Sequence, residues 1–184
     1  MEDSFTSIQS SRFCDNASHF KRIGKNVTIY SSSKIVKKEV IEISDNSMID
    51  DFTFIYGGDG ISIGKFVHIA SFVSVTGGGK LTMGDYSVLS CGVRVLTGSD
   101  TYHGGKRMTS ALPIEQRNVV KGSVVIGKDA FIGANSVIHP DVSIGEGAVI
   151  GSNSLVLNDV DPWSINVGSP CKKIGVRDKI LDSI

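Results

Sequence analysis

"IGKDAFIGANSVIHPDVSIGEGAVIGSNSLV", Ile126 to Val156, decides the fold. An aliphatic residue returns every six positions, at Ile126, Ile132, Ile138, Ile144, Ile150 and Val156. A small or β-branched residue sits four places after each of the first five: Ala130, Ser136, Val142, Ala148 and Ser154. A beat of six matches neither the 3.6-residue period of an α-helix nor strict alternation. It describes one flat side of a prism, a short strand followed by a corner. Three sides make a coil, and coils stack at the ~4.8 Å spacing of paired strands. The aliphatic residue points inward, the small residue fills the narrow interior, and the rest face out. No heptad is present to support a coiled coil, and the strands of a sandwich would not hold a six-residue register.

Upstream the same rule runs on a stretched beat. The aliphatic positions are Ile23, Ile29, Ile35; Ile43, Ile49, Ile55; Ile63, Ile69, Val75; and Met83, Leu89, Val95. The step is six within a triplet and eight between triplets. The two extra residues fall at "YGGDG" and "TGGGK" in the second and third coils, where glycine takes positive φ without steric cost. Repeats that contact only their neighbours form a solenoid. The expected fold is therefore all-β, a parallel β-helix of about six coils over residues 23–165, with a lead at 1–22 and a tail at 166–184.

One interruption breaks the beat. Val95 and Ile126 stand 31 positions apart where the rule predicts eight, so residues from about 98 to 121 leave the helix as an extruded loop. A loop of that length in a compact solenoid is functional or disordered. This one carries Tyr102, Pro113, Ile114 and Val119, which predicts that it packs against something.

The bulk numbers exclude several functions. The 184 residues fit one domain, and 19 acidic residues balance 19 basic ones, so no global charge recruits nucleic acid or an anionic membrane. No apolar run is long enough to span a bilayer, and the start "MEDSFTSIQS" does not read as a signal peptide. Cys14, Cys91 and Cys171 are odd in number and widely spaced, which predicts free thiols and a cytoplasmic setting.

The tandem [LIV]-G-x-x-[STAV]-x pattern resembles the hexapeptide-repeat acyltransferases, over nearly the whole chain from Ile23 to Arg177. The resemblance implies a left-handed helix, against the usual right-handed crossover, and a homotrimer with active sites between subunits. The ending "DVDPWSINVGSPCKKIGVR" is similar to the family's closing segment, with Cys171 where alanine is usual. Two stretches, "MIDDFTFIYGGDGISIGKFVHIASFVSVTGG" and "LSCGVRVLTGSDTYHGGKRMTSALPIEQRNVVKGSVVIGKDAFIGANSVI", resemble the branch that N-acylates amino sugars carried on nucleoside diphosphates. The chain keeps that branch's His68, Ile69, Ala70, Ser90, Asp100, Tyr102, Gly104, Met108, Thr109 and Pro113. It departs from it at Cys91, Thr101, His103 and Ser110. Simple sugar and serine O-acetyltransferases have a histidine near the loop's start, where this chain has Ser99-Asp100 with none between.

Acyl transfer from a thioester requires that the acceptor lose a proton, the tetrahedral oxyanion find donors and the leaving thiolate be protonated. Asp100, where the chain leaves the helix, can orient the amine and accept its proton, or can simply form a turn. Ser90 follows inward Leu89 and faces out, placed to bond the acyl oxygen or relay a proton to sulfur. His68 precedes inward Ile69, and its ordinary pKa of about 6.5 suits a general base. These three are the candidate catalytic residues. Tyr102 and His103 are candidate substrate contacts. Arg94, Lys106, Arg107 and Arg117 match the phosphates of a nucleotide-linked substrate. His139, at a corner in place of the repeat's glycine, reads as a surface residue, and His19 lies in the N-terminal lead.

The resemblance places acetyl-CoA, or another short-chain acyl-CoA, along the downstream coils. It would lie near Gly133, Ala134, Gly151 and Ser152, with Lys172, Lys173 and Arg177 toward its phosphates. No metal is expected. The expected activity is a CoA-dependent N-acyltransferase on a nucleotide-linked amino sugar for surface polysaccharide. The alternative is O-acetylation of a sugar or polysaccharide hydroxyl. A zinc carbonic anhydrase on the same helix would need three histidines per site, and no H-x-x-x-x-H pair exists. A non-catalytic scaffold is opposed by the loop and the ending.

Overall fold

In the computed structural model, residues 19–181 are described, and Cys14 lies outside them. The chain winds as a left-handed parallel β-helix of six complete coils and part of a seventh. Its first face stacks Arg22–Ile23, Ile41–Ile43, Gly60–Ile63, Lys80–Met83, Ser123–Ile126 and Ser143–Ile144. The second stacks Thr28–Ile29, Met48–Ile49, His68–Ile69, Val88–Leu89, Phe131–Ile132, Val149–Ile150 and Ser164–Val167. The third stacks Lys34–Val36, Phe54–Tyr56, Ser74–Thr76, Arg94–Leu96, Val137–Ile138 and Leu155–Val156.

The register follows the beat of six. Ile49, Ile69, Leu89, Ile132 and Ile150 sit directly over one another on the second face. Every residue of the aliphatic beat is buried except Ile23, which packs half-buried on the open first coil. Each such side chain contributes about 1.5–3 kcal/mol of burial. The small positions carry hydroxyls into the interior, and the backbone absorbs them. Ser47 donates to the Gly64 carbonyl at 2.8 Å and accepts from the Val67 N–H at 3.1 Å. Ser136 likewise bonds the Gly151 carbonyl and the Ser154 N–H. Among the described residues no buried side-chain polar atom lacks a partner.

The corners require left-handed backbone, and most of them lack glycine. Asn26, Asn46, Phe66, Tyr86, Asp129 and Trp163 hold positive φ between the first and second faces, and Phe52, Phe72, Asn135 and Asn153 do so between the second and third. An aromatic at positive φ is strained. Here the ring stacks on the corner one coil away: Phe52 on Phe72 at 5.3 Å and Phe66 on Tyr86 at 5.1 Å, a favourable separation for aromatic pairs.

The expected loop is an arm with a paired stem. Gly98–Asp100 pairs antiparallel with Val119–Lys121. Its root is fixed at the corner between the third and first faces by "TGGGK". A β-carbon on Gly79 would stand 2.1 Å from the Gly122 carbonyl oxygen and 2.2 Å from that of Thr97. Buried Thr97 accepts the Gly79 N–H at 3.0 Å and donates to the Thr76 carbonyl at 2.8 Å.

The far end also has structure. Val160 bridges Ile144, and Ser164–Val167 continues the second face. Lys172–Val176 then folds back antiparallel on it. On Ser164–Val167 the inward column ends on a polar residue, Asn166, whose amide donates to Ser164 Oγ at 2.7 Å. No described helix is long and apolar enough to cross a membrane.

Candidate active site

Two neighbouring columns run up the corner between the second and third faces. Tyr30, Asp50, Ala70, Ser90, Gly133 and Gly151 form one, following the register of Ile29, Ile49, Ile69, Leu89, Ile132 and Ile150. Ser71, Cys91, Ala134 and Ser152 stand beside the upper four. The fold thus lines up candidate Ser90 with all four backbone positions expected along the acyl donor. Adjacent coils are separated by about 4.8 Å. Ser90 is half-buried, its N–H is bonded to the Ile132 carbonyl, and its hydroxyl has no partner among the described residues. Cys91 is an exposed free thiol one residue further on.

The glycines of this column are there for coil stacking. A β-carbon on Gly133 would lie 2.5 Å from the Ser152 nitrogen and 2.7 Å from the Ile150 oxygen. A donor along this track would meet backbone whose spacing the next coil dictates.

His68 lies on the second face, one coil below Val88, with its Nε2 3.0 Å from Asp50 Oδ2. An ionised carboxylate only accepts, so neutral His68 carries its proton on Nε2 and leaves Nδ1 as the free basic nitrogen. Asp50 escaped the sequence reading, although it falls in the Ala70–Ser90 column when the chain is laid out in steps of 20.

Asp100 is placed differently. It closes the arm's stem opposite Val119 and is gripped by Arg117: Nε donates to Oδ1 at 3.1 Å and Nη2 to Oδ2 at 2.7 Å. Both side chains are mostly enclosed, at 16% and 11% exposure. Donation of these hydrogen bonds to Asp100, with the carboxylate's charge, holds the guanidinium pKa even above its ordinary high value. Within the chain the third face, at Arg94–Leu96, lies between Ser90 and Asp100 and keeps them apart.

The other candidates divide. Tyr102, at 77% exposure, and His103 lie on the outer part of the arm. Arg107 is exposed and has no hydrogen bond or ion pair among the described residues. Lys106 spans the arm, donating to the Glu115 and Arg117 carbonyls at 3.3 and 3.2 Å. Arg94 faces out from the third face and donates to the Gly92 carbonyl at 2.9 Å. Lys173 pairs with Asp161 at 3.1 Å, and Lys172 is exposed. Arg177 is turned inward: it donates to the Asp129 and Gly147 carbonyls and lies over the Trp163 ring, latching the closing segment to the corner column. No three His, Cys, Asp or Glu side chains among the described residues gather as a metal-binding group.

The arm and the second face both expose apolar surface. Tyr102, Met108, Ile114 and Val120 are exposed on the arm. Met48 and Phe131 are exposed on the second face, with the two aromatic stacks along its edges.

Comparison with known proteins adds the following. Residues 123–158 match the family described as bacterial transferase hexapeptide (six repeats). The chain is 39% identical over 163 residues to the dTDP-4-amino-4,6-dideoxy-D-glucose acyltransferase of Escherichia coli, covering 88% of this chain and 85% of that one. A cysteine-for-serine variant of AntD, an N-acyltransferase from Bacillus cereus, was solved with dTDP-4-amino-4,6-dideoxyglucose and coenzyme A. It superposes with a TM-score of 0.83 at 36% identity, over 88% of this chain and 86% of that one. AntD with dTDP and 3-hydroxybutyryl-CoA gives a TM-score of 0.81 at 36% identity, over 88% and 85%. AntD has also been solved with substitutions at an aspartate ten residues beyond that serine.

Proposed function

The chain belongs to the hexapeptide-repeat acyltransferases that act on nucleotide-linked amino sugars, and from that premise we propose its substrate and the roles of its residues. It is an acyl-CoA-dependent N-acyltransferase. The acceptor is the amine of dTDP-4-amino-4,6-dideoxyglucose, as in both relatives, and the donor is acetyl-CoA or another short-chain acyl-CoA. The product serves surface polysaccharide such as O-antigen, made in the cytoplasm. The observation that carries this reading is the pair Ser90 and Asp100. They stand ten residues apart, the spacing of the serine and aspartate substituted in AntD.

The active enzyme is a homotrimer with sites between subunits. In support, Ser90 and Asp100 sit at opposite ends of one face, and both the second face and the arm present apolar side chains to solvent. Contiguous apolar surface on a soluble protein marks a contact. The arm of one subunit brings Asp100 to the Ser90 corner of its neighbour. The acyl donor runs along Gly133, Ala134, Gly151 and Ser152.

A neutral amine needs little activation. Its nitrogen attacks the thioester carbonyl, the C–S bond breaks, and the proton lost by nitrogen ends on sulfur. Asp100 accepts a hydrogen bond from the amine and orients its lone pair. The unpartnered Ser90 hydroxyl donates to the oxyanion and passes a proton to the thiolate. Tyr102 and His103 contact the sugar, and Arg94, Lys106 and Arg107 lie toward the diphosphate. The His68–Asp50 pair favours a second reading, in which Nδ1 deprotonates a hydroxyl acceptor.

Thiol release from acetyl-CoA and 3-hydroxybutyryl-CoA, measured against dTDP-amino sugars and their hydroxyl counterparts, tests this. Turnover with the amines, reduced at least about 100-fold in Ser90→Ala or Asp100→Asn, is expected. Turnover with hydroxyl sugars alone, abolished by His68→Ala, would overturn it.

A further inference from the structure

Arg117 entered as a phosphate ligand, one of four cations read as candidates for the diphosphate. The geometry gives it another task. Its guanidinium meets the Asp100 carboxylate as a two-point fork, at 3.1 and 2.7 Å. Fork pairing of this kind fixes orientation as well as adding strength. A carboxylate offers about four acceptor sites on its two oxygens. The fork takes one on each and leaves one on each, directed away from Arg117. The carboxylate is thereby held in one plane with its remaining acceptors aimed in set directions.

The pair is also built into the arm. Asp100 and Arg117 lie on opposite sides of its stem: Asp100 pairs with Val119, and the Thr101 N–H bonds the Asn118 carbonyl just beyond. Lys106 in turn donates to the Arg117 carbonyl at 3.2 Å. The fork therefore travels with the arm and does not depend on a neighbouring subunit for its formation. The fork uses two of the five guanidinium N–H groups, and the enclosure of the pair, with the Asp100 charge beside it, disfavours a phosphate at the rest.

We propose that Arg117 is the positioning residue for Asp100: its fork sets the plane and the free acceptor directions with which that carboxylate meets the substrate amine. The proposal rests on the role given to Asp100 above. It places recognition of the diphosphate on other cations, of which Arg107 has no hydrogen bond or ion pair among the described residues.

The test is a double-substitution cycle on the full-length enzyme. kcat and KM are measured for R117A, R117K, D100N and R117A combined with D100N, with binding of dTDP alone read by calorimetry. R117A should lower kcat about 10–100-fold, the scale of a misoriented catalytic group, with dTDP affinity unchanged within about threefold. R117K should restore only part, since an ammonium is a point donor and cannot span both oxygens. In the D100N background R117A should change kcat less than about threefold, because the group it acts through is gone. If R117A does not fold, R117Q carries the same cycle.

Two outcomes would overturn the proposal. One is a tenfold or greater loss of dTDP affinity in R117A, which would make Arg117 a phosphate ligand. The other is an equal loss of kcat with and without Asp100. Wild-type kcat in D100N beside a loss in R117A would instead remove the role of Asp100 itself, a separable failure.

Discussion

Thr97→Val should loosen the arm and the coil corner from which it leaves, without disturbing the downstream coils. Thr97 is 1% exposed, at the point where the chain leaves the third face. Its hydroxyl accepts the Gly79 N–H and donates to the Thr76 carbonyl. Valine keeps the shape and loses both bonds. The Thr76 carbonyl still receives the Thr97 N–H at 2.7 Å, so it remains paired. The Gly79 N–H has no other acceptor among the described residues, and Gly79 is buried, packed closely against Thr97 and Gly122. An unsatisfied buried donor costs about 1–3 kcal/mol. In a solenoid each coil touches only its neighbours, so the penalty is local. Hydrogen-exchange mass spectrometry should show faster exchange in peptides spanning 76–83 and 97–122, with the downstream coils unchanged. The melting temperature should fall by about 2–4 °C per kcal/mol. Thr97→Ser retains the hydroxyl and should exchange like wild type. If the valine variant exchanges and melts like wild type, or the serine variant is equally loosened, the hydroxyl does not fasten the arm.

Leu89→Ala, in the fully buried inward column, should cost about 2–5 kcal/mol in urea unfolding, whereas Val88→Ala on the outward side should cost under about 1 kcal/mol in the isolated subunit; equal costs would refute the register. If the enzyme is the proposed trimer, Phe131→Asp, on the exposed second face, should reduce the mass seen by light scattering from three chains toward one, and an unchanged mass would place the contact elsewhere. The Asp59–Lys121 ion pair, at 2.9 Å, tethers the stem to the second coil, and the hydrogen bond and charge of Lys121 pull the Asp59 carboxyl below its ordinary range. A carboxyl depressed in the folded state contributes above its ordinary pKa, about 3.9, and the contribution disappears as pH falls through the lower folded value. Proteolysis of the arm should therefore accelerate below about pH 4 in wild type by more than in Asp59→Asn, and identical profiles would refute the tether.

Ile126 to Val156 was legible because a solenoid writes its fold along the chain: each face repeats one inward position, and six-residue spacing is that position read out in order. The glycine insertions were legible for the same reason, as two residues in excess of the beat. What escaped were relations between coils at other spacings. Asp50 reaches His68 diagonally, 18 residues away, and Lys121 reaches Asp59 across 62. Composition cannot announce such pairs, since each is an ordinary surface charge until the coils are stacked. Arg117 and Arg177 show the same limit. Both looked like phosphate ligands because a free guanidinium suits phosphate, and both are engaged within the chain, one on a carboxylate and the other on corner carbonyls. The closing segment looked like a tail because the aliphatic beat stops, yet it pairs back as a strand through backbone bonds that need no beat.

The same regularity explains why catalysis needs the interruption. On an unbroken prism each outward column repeats one direction coil after coil, so side chains line up and do not converge. A column serves a long, extended donor well: Ser90, Gly133 and Gly151 share one line. It cannot surround a reacting carbon, which needs an acceptor-orienting group on one side and oxyanion donors on another. Convergence requires an element that leaves the prism axis and returns to a neighbour. In the proposed trimer the arm at 98–121 would do this, and its root at Thr97, its stem at Gly98–Asp100 and the Arg117 fork on Asp100 are three successive constraints on one carboxylate. Relaxing the fork should affect kcat before stability, because the β-helix beneath is complete without the arm.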